Sequence, residues 1–207
     1  MKQLHEAGLH WLQLLPKSVK GMKRTVENIK DPLYRFFERE VNLGARLLHD
    51  VRQDLEDIIL ICQAQKKQTN EHRVLTSSLT KGIVPKSWIR YKIPEGVTVI
   101  QWIQDFAARV QQLQCVVEAV GKEQAKGLKS LEVWLGGLFT PEAYITASRQ
   151  FVLQANAWSL EELVLEVEAA EHFGKLKMDD CSFAAGAGVP PHFYERGVAV
   201  ISTTQLG

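Results

Sequence analysis

Asp31-Pro32 opens a stretch in which Val41, Gly44, Leu48, Val51, Leu55, Ile58 and Cys62 recur at alternating steps of three and four. That spacing puts one apolar seam along a single helix. Asp31 can accept from the free N–H groups of a first turn, and Pro32 suits the first helical position. The predicted helix therefore runs from Pro32 to about Cys62. Leu33, Phe36, Phe37, Leu43 and Leu47 widen its apolar face in the N-terminal half. A narrow seam alone would suit a two-stranded coiled coil. The wide face favours packing within a multi-helix layer.

Neighbouring segments offer partners for that layer. Residues 3–15 suit a short helix with Leu4, Leu9, Trp11, Leu12 and Leu15 apolar, stopped by Pro16. Ser18 is placed to cap a second helix through about Lys30, with Val19, Met22, Val26 and Ile29 on one face. A polar link over residues 65–70 leads to a helix from Glu71 to Lys81, with Gly82 as its stop. Pro85, Pro94 and Gly96 bracket a loop carrying Trp88 and Tyr91. Thr98 then caps a helix over residues 99–120. Trp102, Ile103, Phe106, Val110, Leu113 and Val117 form its stripe, and Gly121 its end.

Past Gly121 the pattern changes. Residues 131–135, Leu-Glu-Val-Trp-Leu, alternate and read as a strand, and Pro141 to Asn156 read as a helix. Ser159 and Glu162 have capping-box spacing, yet the alternation through Leu163, Leu165 and Val167 favours a strand. Residues 198–201 form another short strand, and residues 184–191 a loop or linker. The expected fold is mainly α: a multi-helix layer over residues 1–125, then a small, truncated α+β subdomain over residues 126–207.

Composition narrows the function classes. Hydrophobic residues make up 45% of the 207, enough for a packed core. Lys and Arg number 25 against 24 Asp and Glu, a net charge of +1, which argues against a nucleic-acid binder working through bulk charge. Cys62, Cys115 and Cys181 form no CxxC pair and have no His at ligand spacing, so neither a disulfide framework nor a zinc site is indicated. The N-terminus lacks a signal-peptide pattern, and no apolar run reaches the ~18 residues of a membrane span. A soluble protein of the cytoplasm is expected.

The sequence "GGLFTPEAY", Gly136 to Tyr144, has the look of a phosphate cradle, because glycines before a helix often expose amides to an anion. A P-loop needs G-x-x-x-x-G-K-S/T, and no Lys follows Gly137. The run from Gly121 to Ser130 fails the same spacing twice: one residue too many separates Gly121 from Gly127, and Leu128 precedes Lys129. No G-x-G-x-x-G occurs. The turn reads instead as an entry to a helix. Its glycines permit positive φ or close approach, Thr140 is the cap, Pro141 the first residue, and Glu142 faces the positive dipole end.

Other chemistry is equally thin. G-x-S-x-G and HExxH are absent. Cys62 and Cys115 read as core, and Cys181 follows Asp179-Asp180, which would raise its thiol pKa. His5, His10, His49, His72, His172 and His192 do not pair at helical spacing. His49 with Asp50 and Asp54 is a weak metal patch, better read as a solvated face. Glu38, Glu40, Asp50, Asp54, Glu56, Asp57, Glu161, Glu162 and Glu166 read as charged faces, as Arg52 with Glu56 illustrates. Lys17, Lys20, Lys23 and Arg24 form one basic cluster; Lys66, Lys67 and Arg73 form another. No catalytic, cofactor-binding or metal-binding residue is assigned, and no cofactor is expected.

Several blocks carry a family likeness. "RTVENIKDPLYRFFEREVNLGARLLHDVRQDL" from Arg24, "KKQTN" from Lys66, "LTKGIVPKSW" from Leu79 and "TVIQWIQDF" from Thr98 occur in order. "LGGLFTPEAYITASRQFVLQANAWSLEELVLEV" from Leu135, "DDCSF" from Asp179 and "FYERGVAV" from Phe193 follow. Together they span nearly the whole sequence. It resembles the C-terminal region of dynein heavy chains, nearer the cytoplasmic than the axonemal branch. The resemblance implies a non-catalytic region after the sixth AAA+ module, packed on the motor ring and modulating microtubule-based movement. It implies the ring as partner, and through it dynein subunits and microtubules, with a cytoskeletal location. Residues 1–30 would match the end of the sixth module. In the family a long β-rich segment separates the last two blocks; here only residues 184–192 join them. The strand near Val198 would dock on a sheet containing residues 131–135 and 163–167. A stand-alone helical adaptor, using the seam from Val41 to Cys62 as partner surface, is the alternative; an enzyme is a third.

Overall fold

The computed structural model describes residues 2–123, 128, 131, 133–157, 163–170, 183–184 and 198–205. The fold is mainly α. Helices α1 (Lys2–Leu14), α2 (Pro32–Cys62), α3 (Asn70–Thr80), α4 (Val99–Glu123) and α5 (Pro141–Asn156) precede strands β1 (Leu163–Ala170), β2 (Phe183–Ala184) and β3 (Val198–Gln205). Single turns of 3-10 helix lie at Asn28–Lys30, Lys86–Trp88 and Leu135–Gly137. The chain divides into two compact units, Met1–Lys20 with Leu43–Gln111, and Gly21–Asn42 with Gln112–Gly207.

In the first unit the seam of α2 is internal: Leu47, Leu48, Val51, Leu55 and Ile58 are almost fully buried, whereas Leu43 is exposed and Cys62 half-buried. α1 lies against α2 where Gly8 meets Ile59; a Cβ there would stand 3.3 Å from Ile59 Cγ1. Arg52 Nη1 donates to the carbonyls of Leu12, Leu15 and Pro16, each at 3.3 Å, which satisfies the open end of α1. Thr69 caps α3, and Gly82, at φ +71°, turns the chain after it. Thr98 forms a capping box with Gln101 at the start of α4.

The loop of Trp88 and Tyr91 is an anchor. Both side chains are buried. Trp102 stacks on Phe106 at 5.0 Å and on Tyr91 at 6.2 Å, and lies 5.3 Å from Trp88. Into this aromatic cluster α4 sends a buried ion pair, Arg109 Nε to Asp105 Oδ2 at 2.7 Å. Tyr91 donates to the same oxygen at 2.9 Å, and the Arg109 guanidinium sits 4.0 Å from the Tyr91 ring centroid. Burial, then the Asp105 charge, pushes the Tyr91 phenol well above its ordinary pKa.

The second unit packs Leu33, Tyr34, Phe36 and Phe37 of α2 against Val116, Leu128, Val133, Leu138, Tyr144, Ala147 and Val152. β1 and β3 pair antiparallel from Leu163 opposite Gln205 to Ala170 opposite Val198, and β2 adds Phe183 opposite Ile201 and Ala184 opposite Val200. The sheet order is β1-β3-β2. β3 thus pairs with β1, which holds residues 163–167 of the expected sheet, whereas residues 131–135, the other expected member, contribute no strand among the described residues.

Several local expectations fail for identifiable reasons. No helix covers residues 18–27. Asn28 Oδ1 accepts from Thr25 N at 2.7 Å, Thr25 Oγ1 accepts from Asn28 N at 3.2 Å, and Asn28 Nδ2 donates to Lys23 O at 3.0 Å. These side-chain bonds satisfy the backbone in an irregular path that competes with a helix. Val26 is consequently 82% exposed. Residues 131 and 133–135 are not a strand. Trp134 N donates to Gln112 Oε1 at 2.7 Å and its carbonyl accepts from Gln112 Nε2 at 3.2 Å, so one amide side chain stands in for a neighbouring strand. α4 passes Gly121 and ends at Glu123. Cys115 is exposed rather than core, and the stripe of α4 buries Val116 more fully than Val117. Cys181, Ser159 to Glu162 and residues 185–192 lie outside the described residues.

Trp102 and Phe106 are fully buried. Trp102→Ala should lower unfolding free energy by ~3–5 kcal/mol, read as a drop in denaturant midpoint. An unchanged midpoint would refute the aromatic cluster as the centre of this unit.

Candidate functional site

The turn at Gly136 to Tyr144 reads in the sequence as a helix entry and not a phosphate site, yet it does hold an anion: the carboxylate of Glu40. Glu40 is fully buried on α2. Phe139 N donates to its Oε2 at 2.7 Å and Thr140 N to its Oε1 at 3.0 Å. The Thr140 hydroxyl donates to Oε1 as well. Thr140 therefore does not cap α5 with its own side chain; its hydroxyl points to Glu40, and no cap bond from it is formed. The charge sits on the amides of the two residues just before α5, at the end of the helix where its dipole favours a negative group. A phosphate at this turn would have to displace Glu40.

The glycines serve close approach. Neither has positive φ; among the glycines described, that conformation belongs to Gly82 and Gly96. A Cβ on Gly136 would stand 2.8 Å from Trp134 Nε1, and one on Gly137 only 2.2 Å from Trp134 Cε3. The indole folds over the turn that follows it. One turn into α5, Tyr144 packs against both Phe36 and Phe37, with ring centroids at 5.4 and 5.8 Å. Burial pushes its phenol pKa up to about 12. Phe36 and Phe37 precede Glu40 by four and three residues, so one face of α2 presents both the rings and the carboxylate.

The remaining carboxylates divide. Glu38 makes a two-point pair with exposed Arg24, at 2.5 and 3.0 Å, and Arg52 pairs with Glu56 at 3.5 Å. Asp57 is buried, not part of a solvated face. It accepts from Lys66 Nζ at 2.6 Å and Gln53 Nε2 at 3.0 Å, and lies 3.3 Å from His72 Nε2. Burial works to raise its pKa, but the bonds from Lys66, Gln53 and His72 outweigh it and the net shift is downward. Asp54 accepts from Trp88 Nε1 at 2.7 Å. Its pKa goes up: burial dominates, Asp50 and Asp57 add to it, and the Trp88 bond only partly opposes. His49 and Asp50 are exposed. No group of three or more His, Cys, Asp or Glu among the described residues is arranged to hold a metal ion. Of the basic clusters, Arg24 and Lys66 are paired as above, while Lys17, Lys20, Lys23, Lys67 and Arg73 are exposed.

Sequence reasoning reads Glu40 as part of a charged, solvated face, which its full burial overturns, and it names neither Asp105 nor Arg109. Their signal is positional: each lies on an apolar stripe, Glu40 a turn after Phe36 and Asp105 beside Phe106, where a solvated charge does not belong.

The chain belongs to the family of the C-terminal domain of dynein heavy chains, whose model matches residues 1–200. Among its relatives, the cytoplasmic dynein heavy chain of Drosophila melanogaster is 59% identical over 183 residues, 88% of this chain. That of Caenorhabditis elegans is 52% identical over 189 residues, 91% of this chain, and that of Dictyostelium discoideum 46% over 169 residues, 82%. The human axonemal heavy chain 17 is 24% identical over 125 residues. The chain spans 4% of the length of the fly and worm relatives and 3% of the Dictyostelium one.

Two outcomes follow from this chemistry. Glu40→Ala leaves three donors of the α5 entry without their acceptor, at a cost of about 1–3 kcal/mol for each buried group left unpaired; denaturant titration should show a large loss, and a change below ~1 kcal/mol would contradict the contact. For Asp54, the folded state binds the carboxyl proton more tightly than the unfolded state, so ionised Asp54 lowers stability above its raised pKa. That cost disappears as pH falls below the unfolded value of about 3.9. Asp54→Asn keeps an acceptor for Trp88; it should melt higher than the parent at pH 7, with the gap closing toward pH 3.5. A gap that widens on acidification would reverse the sign.

Proposed function

We propose that this chain is the non-catalytic C-terminal region of a cytoplasmic dynein heavy chain, packing on the AAA+ motor ring and modulating minus-end-directed movement along microtubules. The observation that carries the reading is the 59% identity to a cytoplasmic dynein heavy chain across 88% of the sequence. Residues 1–30 then belong to the end of the last ring module, residues 1–125 to a helical region, and residues 126–207 to a small α+β subdomain. The chain has no catalytic, cofactor or metal residues of its own, and ATP is bound elsewhere in the heavy chain. Its partners are the ring and, through it, dynein subunits and microtubules, at a cytoplasmic, cytoskeletal location. Among the described residues no helix is long and apolar enough to cross a membrane. Exposed Leu9, Val26, Ile29, Leu43, Val74 and Ile83 supply apolar surface for packing on a larger body.

The adaptor alternative loses its surface. It needed the seam from Val41 to Cys62 for a partner, and Val41, Leu48, Val51, Leu55 and Ile58 are each at most 1% exposed within this protein.

The test adds the purified chain to a recombinant cytoplasmic dynein motor truncated before this region. Binding by the ring, with a change in stall force or run length, is the expected result. A monomeric chain with no affinity for the truncated motor would sink the proposal.

A further inference from the structure

His72 makes a capping box of an unusual kind. Its backbone N–H donates to Thr69 Oγ1 at 3.3 Å, and the Thr69 backbone N–H donates back to the ring nitrogen Nδ1 at 3.2 Å. In the common box a Glu or Gln oxygen fills the second role. Here the acceptor is an imidazole, whose acceptor lone pair is itself a site of protonation.

The two ring nitrogens are committed in opposite senses. Nδ1 accepts from Thr69 and so carries no proton. Nε2, 3.3 Å from Asp57 Oδ2, then carries the proton and donates. Only one neutral tautomer serves both contacts. A second proton has one place to go, Nδ1, and it turns that acceptor into a donor aimed at the Thr69 N–H. The Thr69 end must open. The Asp57 end strengthens, because an imidazolium now faces a carboxylate.

The surroundings keep that carboxylate charged. From α2, Asp57 and Asp54 face the ring, and from the connection after α2 Lys66 Nζ contacts Asp57 at 2.6 Å. Glu71 and Arg73 flank it on α3 and are exposed. Asp57 also takes the Gln53 bond at 3.0 Å, and its pKa is held below the ordinary value. It therefore remains an anion throughout the range, about pH 5–8, in which histidines change charge. The connection that the box closes also holds Ala64 at φ 59°, a left-handed conformation that non-glycine residues adopt at a cost.

We propose that His72 is a proton-operated latch at the start of α3. Neutral, it ties the backbone at the end of the connection over residues 63–69 to α3. Protonated, it releases Thr69 and stays on Asp57. The element it biases is the connection between α2 and α3.

The test is NMR on the 207-residue protein from pH 8 to pH 5, following the His72 ring nitrogens and the Thr69 amide together. At pH 8 the ring should show the Nε2–H tautomer. As the ring takes up its second proton, the Thr69 amide should shift with the same midpoint. Its protection against exchange should fall about five- to tenfold, as expected for one lost hydrogen bond. His72→Gln retains an acceptor for Thr69 and a donor for Asp57 without a titrating proton, and should hold Thr69 protection level across the range. An Nδ1–H tautomer at pH 8, a Thr69 amide indifferent to the ring titration, or the same decline in His72→Gln would each overturn the proposal.

Discussion

The contact between Glu40 and the entry of α5 ties the second unit together. Removing a carboxylate from water costs several kcal/mol, and it persists only where enough donors replace the lost solvent. Here two backbone amides and a hydroxyl do so, at the end of a helix whose dipole has the right sign. The donors come from residues 99 and 100 positions further along the sequence, so the contact also fixes a long loop. Its geometry is shared by neutral neighbours. Phe36 and Phe37, on the same face of α2, receive Tyr144 from the same end of α5. Polar and apolar contacts thus specify one placement of the helix, and a shift that broke one would break the other. The turn can come this close because Gly136 and Gly137 leave room for the Trp134 ring, which Gln112 holds by both backbone groups.

The first unit repeats the arrangement with different residues. Asp105 and Arg109 lie one turn apart on the apolar stripe of α4, and Tyr91 contributes both a donor to the acid and a ring under the base. In each unit a charge stands inside an aromatic cluster: Glu40 is met from 99 and 100 residues away, Asp105 by Arg109 one turn on and by Tyr91 14 residues back. Such groups are costly when one partner is removed, which limits the ways the surrounding rings can repack.

That pattern explains what is legible in the sequence and what is not. The bounds of α2 and α5, and the start of α4, are legible because Pro at the first turn of α2 and α5, the Asp31 and Thr98 caps and the apolar period are local signals, although the Thr140 cap expected for α5 does not form. Asp31 Oδ1 does accept from Leu33 N at 2.8 Å, as the Asp-Pro step implies. The segment before Asp31 misleads because its apolar spacing suggests a helix while Thr25 and Asn28 offer the backbone closer partners. Residues 131–135 alternate like a strand, yet Trp134 bonds to a glutamine side chain on α4, which no periodicity encodes. Glu40 reads in the sequence as one more charge on a solvated face. Its partner, the turn after Gly136, reads as a helix entry with no ligand. Joining the two requires the fold.

The joined pair also alters what the family resemblance rests on. "RFFERE" holds Phe36, Phe37 and Glu40, and "GGLFTPEAY" holds the amides and the ring that meet them. Two of the blocks that carry the likeness to dynein heavy chains are therefore the two sides of one internal contact. Glycines before a helix have two physical uses here that sequence alone does not separate: exposing amides to a ligand, and letting a bulky ring lie across the turn. An acidic residue on a distant apolar stripe distinguishes them, since a buried carboxylate must find donors somewhere and a free helix entry must find an acceptor. In this protein each requirement meets the other, so the turn is a folded-in anion site whose anion belongs to the protein.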